Sequence, residues 1–147
     1  MGSGKTTLGK ALATQLGWHF IDLDKEIERH SGYTIPKLFE RNQESGFRKI
    51  EQHVLHNTVT QLQDPKSGAP NCIIACGGGT PCYQQNLLFM KSNGFVIYLE
   101  VTPEILCERL LCTPARLRPL LSAQSPEHIR ILLAQRRHFY EAAHWRC

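Results

Sequence analysis

An α/β fold with a doubly wound parallel sheet is predicted by three features of this sequence. Short apolar and β-branched runs alternate with stretches of helical periodicity along the whole chain. One of those runs, Cys72-Ile73-Ile74-Ala75-Cys76, is apolar without a break, as in a strand buried on both faces of a parallel sheet. The chain also opens on Met1-Gly2-Ser3-Gly4-Lys5-Thr6-Thr7 ahead of a helical segment. In such a loop, backbone N–H groups and the positive end of the following helix surround a polyphosphate. Lys5 then suits the β/γ-phosphates and the Thr6 hydroxyl suits Mg²⁺. Only the back half of G-x-x-x-x-G-K-S/T is here: the first glycine and the strand feeding it would lie upstream of Met1.

At 147 residues the chain is expected to be one domain, and its 41% hydrophobic and 20% charged content is that of a soluble globular protein. The longest apolar run, Phe95 to Leu99, is far too short to cross a membrane. Residues 1–17 mix polar and apolar positions rather than forming a signal sequence, so a cytoplasmic location is expected. The net charge of +4 suits a protein that handles anions, and the scatter of its basic residues favours small anions over nucleic acid. The six cysteines contain no C-x-x-C pair and read as reduced thiols; Cys72 and Cys76 would lie roughly 13 Å apart along a strand, too far to bridge. His53 and His56, three apart on an expected helix, read as solvated rather than metal-binding.

From Thr6 to Leu16, apolar residues at 8, 11, 12 and 16 predict one buried helical face, with Gly17 as a left-handed stop. Trp18 to Asp22 reads as a strand, which puts Asp22 and Asp24 at its C-terminal end, the edge where open parallel sheets bind ligands. Capping of the helix Lys25 to His30 accounts for one of these acids and less well for both. Thr34 is placed to cap a short helix carrying Pro36 in its first turn. A longer helix is predicted from about Glu44 to Leu62, with Phe47, Ile50, Val54, Leu55 and Leu62 on one face. Arg48 lies off that stripe, where pairing with Glu51 on a solvated face would be worth only a few tenths of a kcal/mol. Asp64 to Asn71 reads as a loop.

The strand Cys72–Cys76 runs into Gly77-Gly78-Gly79, which reads either as a loose turn or as backbone made for close approach to a ligand. A helix from about Gln84 to Ser92 and a strand from Phe95 to Leu99 follow. Thr102-Pro103-Glu104 has the capping hydroxyl, proline and acid of a helix start. Residues 112–125, with Pro114, Pro119, Arg116 and Arg118, read as a flap. Ser125-Pro126-Glu127 opens a last helix with Ile129, Leu132, Leu133 and Tyr140 on one side.

In order and spacing, G-S-G-K-T-T-L-G-K-A-L-A, F-I-D-L-D, E-S-G-F-R-K-I-E, the triple glycine, L-R-P-L-L and R-R-H-F-Y-E-A-A resemble the shikimate kinases, small P-loop kinases. The resemblance implies transfer of the ATP γ-phosphoryl group to the 3-hydroxyl of shikimate, in aromatic amino-acid synthesis, by a cytoplasmic monomer that uses Mg²⁺ and binds neither nucleic acid nor membrane. F-R-x-x-E and R-P-L-L speak against the alternative of a gluconate-kinase-like enzyme. It implies a nucleotide site of Gly2, Ser3, Gly4, Lys5, Thr6, Thr7, Arg109 and Arg118, with Thr6 and Asp22 at the metal. It further implies a shikimate site of Asp24, Arg48, Gly78, Gly79 and Arg136, in which Asp24 meets the substrate hydroxyls and Arg48 and Arg136 hold the carboxylate. Lys5, Asp24 and Arg118 are the implied catalytic residues, Arg118 on a lid at about 112–125. Phosphoryl transfer depends mainly on positioning and charge neutralisation, which suits this set without a nucleophilic Ser or Cys.

The family's first strand and the strand and helix after Y-E-x-x-A have no counterpart in this reading. A central strand buries apolar side chains worth roughly 6 to 12 kcal/mol, comparable with a whole domain's stability. These residues alone are therefore expected to be poorly stable and weakly active, which cooperative melting above about 50 °C would contradict. Gln43 stands where the family usually has Gly, and His138 where it usually has Pro.

Overall fold

The computed structural model describes residues 2–64, 71–111 and 126–147. Its elements run α1 (Lys5–Leu16), β1 (His19–Asp22), α2 (Leu23–Ser31), α3 (Ile35–Gln63), β2 (Cys72–Ala75), α4 (Asn86–Asn93), β3 (Ile97–Tyr98), α5 (Pro103–Leu111), α6 (Pro126–Glu141) and β4 (Trp145–Arg146). The alternation and the parallel pairing match the expected α/β class. Among the described residues the pairing takes the form of two two-stranded ladders, β1 with β2 and β3 with β4. The chain divides into two compact units, Gly4–Thr80 and Met1–Ser3 with Pro81–Cys147.

In the unit Gly4–Thr80, α1 ends at Gly17, whose φ of 65° is left-handed, as expected. The helix buries a different face from the predicted one. Gly9 and Ala13 point inward, whereas Leu8 and Leu16 are 50% and 46% exposed. The cause is closeness: a Cβ at Gly9 would lie 2.7 Å from the Phe20 ring and 3.5 Å from Ile73, so small residues let the helix lie on β1 and β2. β1 and β2 align from His19 opposite Cys72 to Asp22 opposite Ala75. Every residue of β2 is half-buried rather than enclosed on both faces, because β1 is its only hydrogen-bonded neighbour among the described residues.

Asp22 caps α2 by accepting from the Asp24 backbone N–H at 3.2 Å, and Gly32 ends that helix at φ 72°. The next helix start departs from expectation. Thr34 occupies the capping position without a side-chain bond, and Glu28 of α2 accepts from the Ile35 N–H at 2.9 Å instead. The short and long helices predicted over 34–62 are continuous except at Gln43, where φ 56° and ψ −178° break the spiral just before Glu44. A left-handed backbone of this kind favours glycine, so the side chain at 43 is held under strain. Leu23, Ile27, Leu38, Phe47, Val54 and Leu55 form the apolar core of this unit.

In the other unit, α5 starts at Pro103 and packs with α6, whose Ile129 and the Leu106 of α5 are both buried. The strand expected over Phe95 to Leu99 shortens to Ile97–Tyr98, and Phe95 is 69% exposed. Contrary to the expectation that no strand follows Y-E-x-x-A, β4 pairs in parallel with it, and Cys147 N–H donates to the Tyr98 carbonyl at 3.0 Å. Two residues cannot display a period of two, so nothing in the sequence marked Trp145–Arg146 as a strand. No helix among the described residues is long and apolar enough to cross a membrane.

Candidate active site

The C-terminal end of β1, the start of α1 and the middle of α3 supply the charged groups of the unit Gly4–Thr80. Gly4, at φ 86°, precedes α1 and brings no side chain to its first N–H groups, and no acid lies in the first turn. That leaves the helix's positive end open to an anion. Thr6 Oγ1 donates to Asp22 Oδ2 at 3.0 Å, so the two expected metal residues do meet. Their hard oxygens, a hydroxyl and a carboxylate, fit Mg²⁺ in donor type.

Asp24 lies in the first turn of α2. The residue is open to solvent on one side, but protein atoms crowd its carboxyl. Burial, and then the charges of Asp22 and Glu51, raise its pKa above 3.8, with Lys5 opposing them. A carboxylate in this position is a better proton acceptor than a free one.

Arg48 is not on a solvated face. It is 8% exposed, and its Nη1 donates to Glu51 Oε2 at 2.7 Å while Nη2 donates to Glu44 Oε1 at 3.1 Å. Burial works against the charged form, but Glu51 and Glu44 override it, and the guanidinium pKa rises above its ordinary value. The Glu51 contact foreseen as a weak surface pair is therefore a buried one, far costlier to break from one side. Glu51 is 1% exposed, and its other oxygen, Oε1, accepts from Thr80 Oγ1 at 2.7 Å.

Gly77 and Gly79 of the triple glycine do admit close approach, by the protein's own groups. A Cβ at Gly79 would collide with the Arg48 guanidinium, and one at Gly77 would lie 2.9 Å from Glu51 Oε1 and 3.1 Å from Thr80 Oγ1. From sequence Glu51 was no more than a pair partner for Arg48, and Thr80 was given no role. The spacing F-R-x-x-E places Glu51 one helical turn from Arg48, and Thr80 ends the glycine run, but only the fold joins them.

Cys76 follows β2 near this cluster, and burial with the charges of Glu51 and Asp24 pushes its thiol up to about 12, so it stays protonated. The described cysteines are free, as expected, and His53 hydrogen-bonds Asn57 at 2.9 Å. No cluster of three or more His, Cys, Asp or Glu suited to a metal occurs among the described residues.

Gly2, Ser3, Arg109 and Arg136 belong to the other unit. There Arg109 Nη1 donates to the Gly2 carbonyl at 3.1 Å, tying α5 to the loop's entry. The Arg136 guanidinium lies beside the Tyr140 hydroxyl, whose pKa burial raises and Arg136 holds down. Arg118 and the expected lid at 112–125 lie outside the described residues, as does most of the loop expected over 64–71.

A family model described as shikimate kinase matches residues 1–147. Shikimate kinase of Parasynechococcus marenigrum is 42% identical over 144 residues, covering 97% of this chain and 70% of the relative. That of Phocaeicola vulgatus is 39% identical over 147 residues, covering 97% of this chain and 79% of its own. Among solved structures, shikimate kinase from Acinetobacter baumannii in complex with shikimate superposes with a TM-score of 0.88 at 38% identity, covering 100% of this chain and 78% of that one.

Proposed function

The chain belongs to the shikimate kinase family, and we propose that the polar cluster of the unit Gly4–Thr80 performs the family's ATP-dependent phosphorylation of shikimate. The observation that carries this reading is the Arg48–Glu51–Thr80 chain, at 2.7 Å in each link, in the same unit as Asp24 with its raised pKa. Arg48, kept charged by its acids, binds the substrate carboxylate, and Arg136 is assigned to the same carboxylate from the family resemblance alone. Glu51 and Thr80 hold the guanidinium in one orientation, and Gly78 and Gly79 leave room beside it. Asp24 orients the attacking hydroxyl and takes up its proton.

Gly2, Ser3, Gly4 and Thr7 present backbone and hydroxyl donors to the ATP phosphates, and Lys5 places a point charge there. Thr6 and Asp22 hold Mg²⁺, which supplies charge neutralisation between the phosphates when bound. Arg109 is assigned to the adenine side. Arg118 enters from L-R-P-L-L alone; its replacement by Ala is expected to lower turnover by about 10³ to 10⁵. The reading includes one catalytic domain acting as a cytoplasmic monomer without nucleic acid or membrane partners.

A coupled assay of ADP release with shikimate and gluconate side by side tests it. Turnover with shikimate alone is expected, and turnover with gluconate alone overturns it.

A further inference from the structure

Arg48 is held by two acids of very different exposure. The Glu51 side chain is 1% exposed and bonds Nη1 at 2.7 Å, whereas the Glu44 side chain is 53% exposed and bonds Nη2 at 3.1 Å. Gly79 closes on the guanidinium so tightly that even a methyl group there would collide with it. A planar guanidinium binds a carboxylate best through two parallel N–H groups, and Glu44 already engages one of its two Nη atoms.

We propose that Glu44 is a displaceable internal counter-ion, a protein carboxylate that competes with the substrate carboxylate for Nη2 of Arg48 and gives way to it. This rests on the reading of Arg48 as the carboxylate receptor.

Of the two acids only Glu44 can leave cheaply. Moving Glu51 would strip a buried carboxylate of both Arg48 and Thr80, whereas a displaced Glu44 is taken up by water. The backbone favours the exchange as well. Glu44 follows Gln43, whose φ of 56° interrupts the helix, so Glu44 begins a new helical stretch. Exchange of one carboxylate for another leaves the charge on Arg48 balanced throughout. It also selects among ligands: a small monoanion gains little by replacing Glu44, whereas a substrate that binds Asp24 as well wins the exchange.

Titration of the full chain with shikimate, by calorimetry and by initial rates, tests the proposal in wild type, Glu44→Gln, Arg48→Lys and the double variant. Glu44→Gln is expected to bind about two- to tenfold tighter, with KM lowered by the same factor and kcat little changed. Glu44→Ala is expected to move in the same direction. An acid that serves only the helix start would lower Tm on neutralisation and leave KM alone. In the Arg48→Lys background the gain from Glu44→Gln is expected to vanish. Unchanged or weaker binding by both Glu44 variants, with Arg48→Lys itself impaired, overturns the counter-ion role alone. Normal binding by Arg48→Lys removes the carboxylate-receptor reading, and the counter-ion falls with it.

Discussion

The two units are held by different kinds of contact. Gly4–Thr80 has surface pairs such as Lys37 with Glu40, but it also holds a charged pair inside: Arg48 and Glu51 are 8% and 1% exposed and share a hydrogen-bonded chain with Thr80. In the unit of Pro81–Cys147 the ion pairs among the described residues lie at the surface, among them Arg130 with Glu104 and Arg146 with Glu100, and Phe95 and Trp145 stay 69% and 60% exposed. Buried pairs fix one geometry at the risk of large loss, while exposed pairs are screened and exchangeable. A site that must hold a carboxylate and a proton acceptor in fixed positions needs the first kind.

Removing a buried partner is the hardest test of that contrast. Glu51→Ala takes from Arg48 and Thr80 the buried carboxylate they share, leaves Arg48 with the half-exposed Glu44, and is expected to cost about 3 to 5 kcal/mol in urea unfolding. A loss under about 1 kcal/mol would put the pair in the class of surface bridges. Gly9→Ala, whose new Cβ meets Phe20 at 2.7 Å, is expected to lose about 1 to 3 kcal/mol by overpacking α1 against the strands. Gln43→Gly runs the other way. It relieves about 1 to 3 kcal/mol of left-handed strain against about 0.5 to 1 of added chain entropy, for a net gain near 1 kcal/mol. Arg130→Ala, by contrast, is expected to leave the melting curve of the chain unchanged, since its pairs with Glu104 and Glu127 are exposed on both sides.

The pH behaviour sharpens the same contrast. The fold raises the pKa of Asp24, so its contribution to stability is complete below 3.8 and is lost as pH rises through the raised value. At neutral pH the ionised group sits against Asp22 and Glu51. Asp24→Asn is therefore expected to melt above wild type near pH 7, with the gap closing toward about pH 4. A gap that widens on acidification would reverse the assigned sign.

What the sequence disclosed follows the same division. Local signals with a mechanism were readable: the left-handed stop at Gly17, the proline start of α5, and the acids at the end of β1. Thr6 and Asp22, sixteen residues apart, were matched through the family resemblance, and the fold brings them within 3.0 Å. Contacts that depend on which face turns inward were not readable. Hydrophobicity put Leu8 and Leu16 inside, but the closeness of Phe20 and Ile73 selected Gly9 and Ala13. Arg48, off the apolar stripe, carried no local sign of burial, only a possible weak pair with Glu51. Its burial depends on Glu51 and on glycines 29 and 31 positions away, which no local pattern encodes. Gln43 was the opposite case, a departure from the family's glycine that looked minor until its φ of 56° showed what the glycine is for.

The central claim is that Asp24, placed at the end of β1 and made basic by burial and by its acidic neighbours, takes the proton of the phosphorylated hydroxyl. Steady-state turnover of Asp24→Asn with saturating ATP and shikimate tests this most directly. A fall in kcat of about 10² to 10⁴ is expected, from a protein that remains folded. Turnover within about tenfold of wild type would contradict it, because proton transfer would then be owed to some other group.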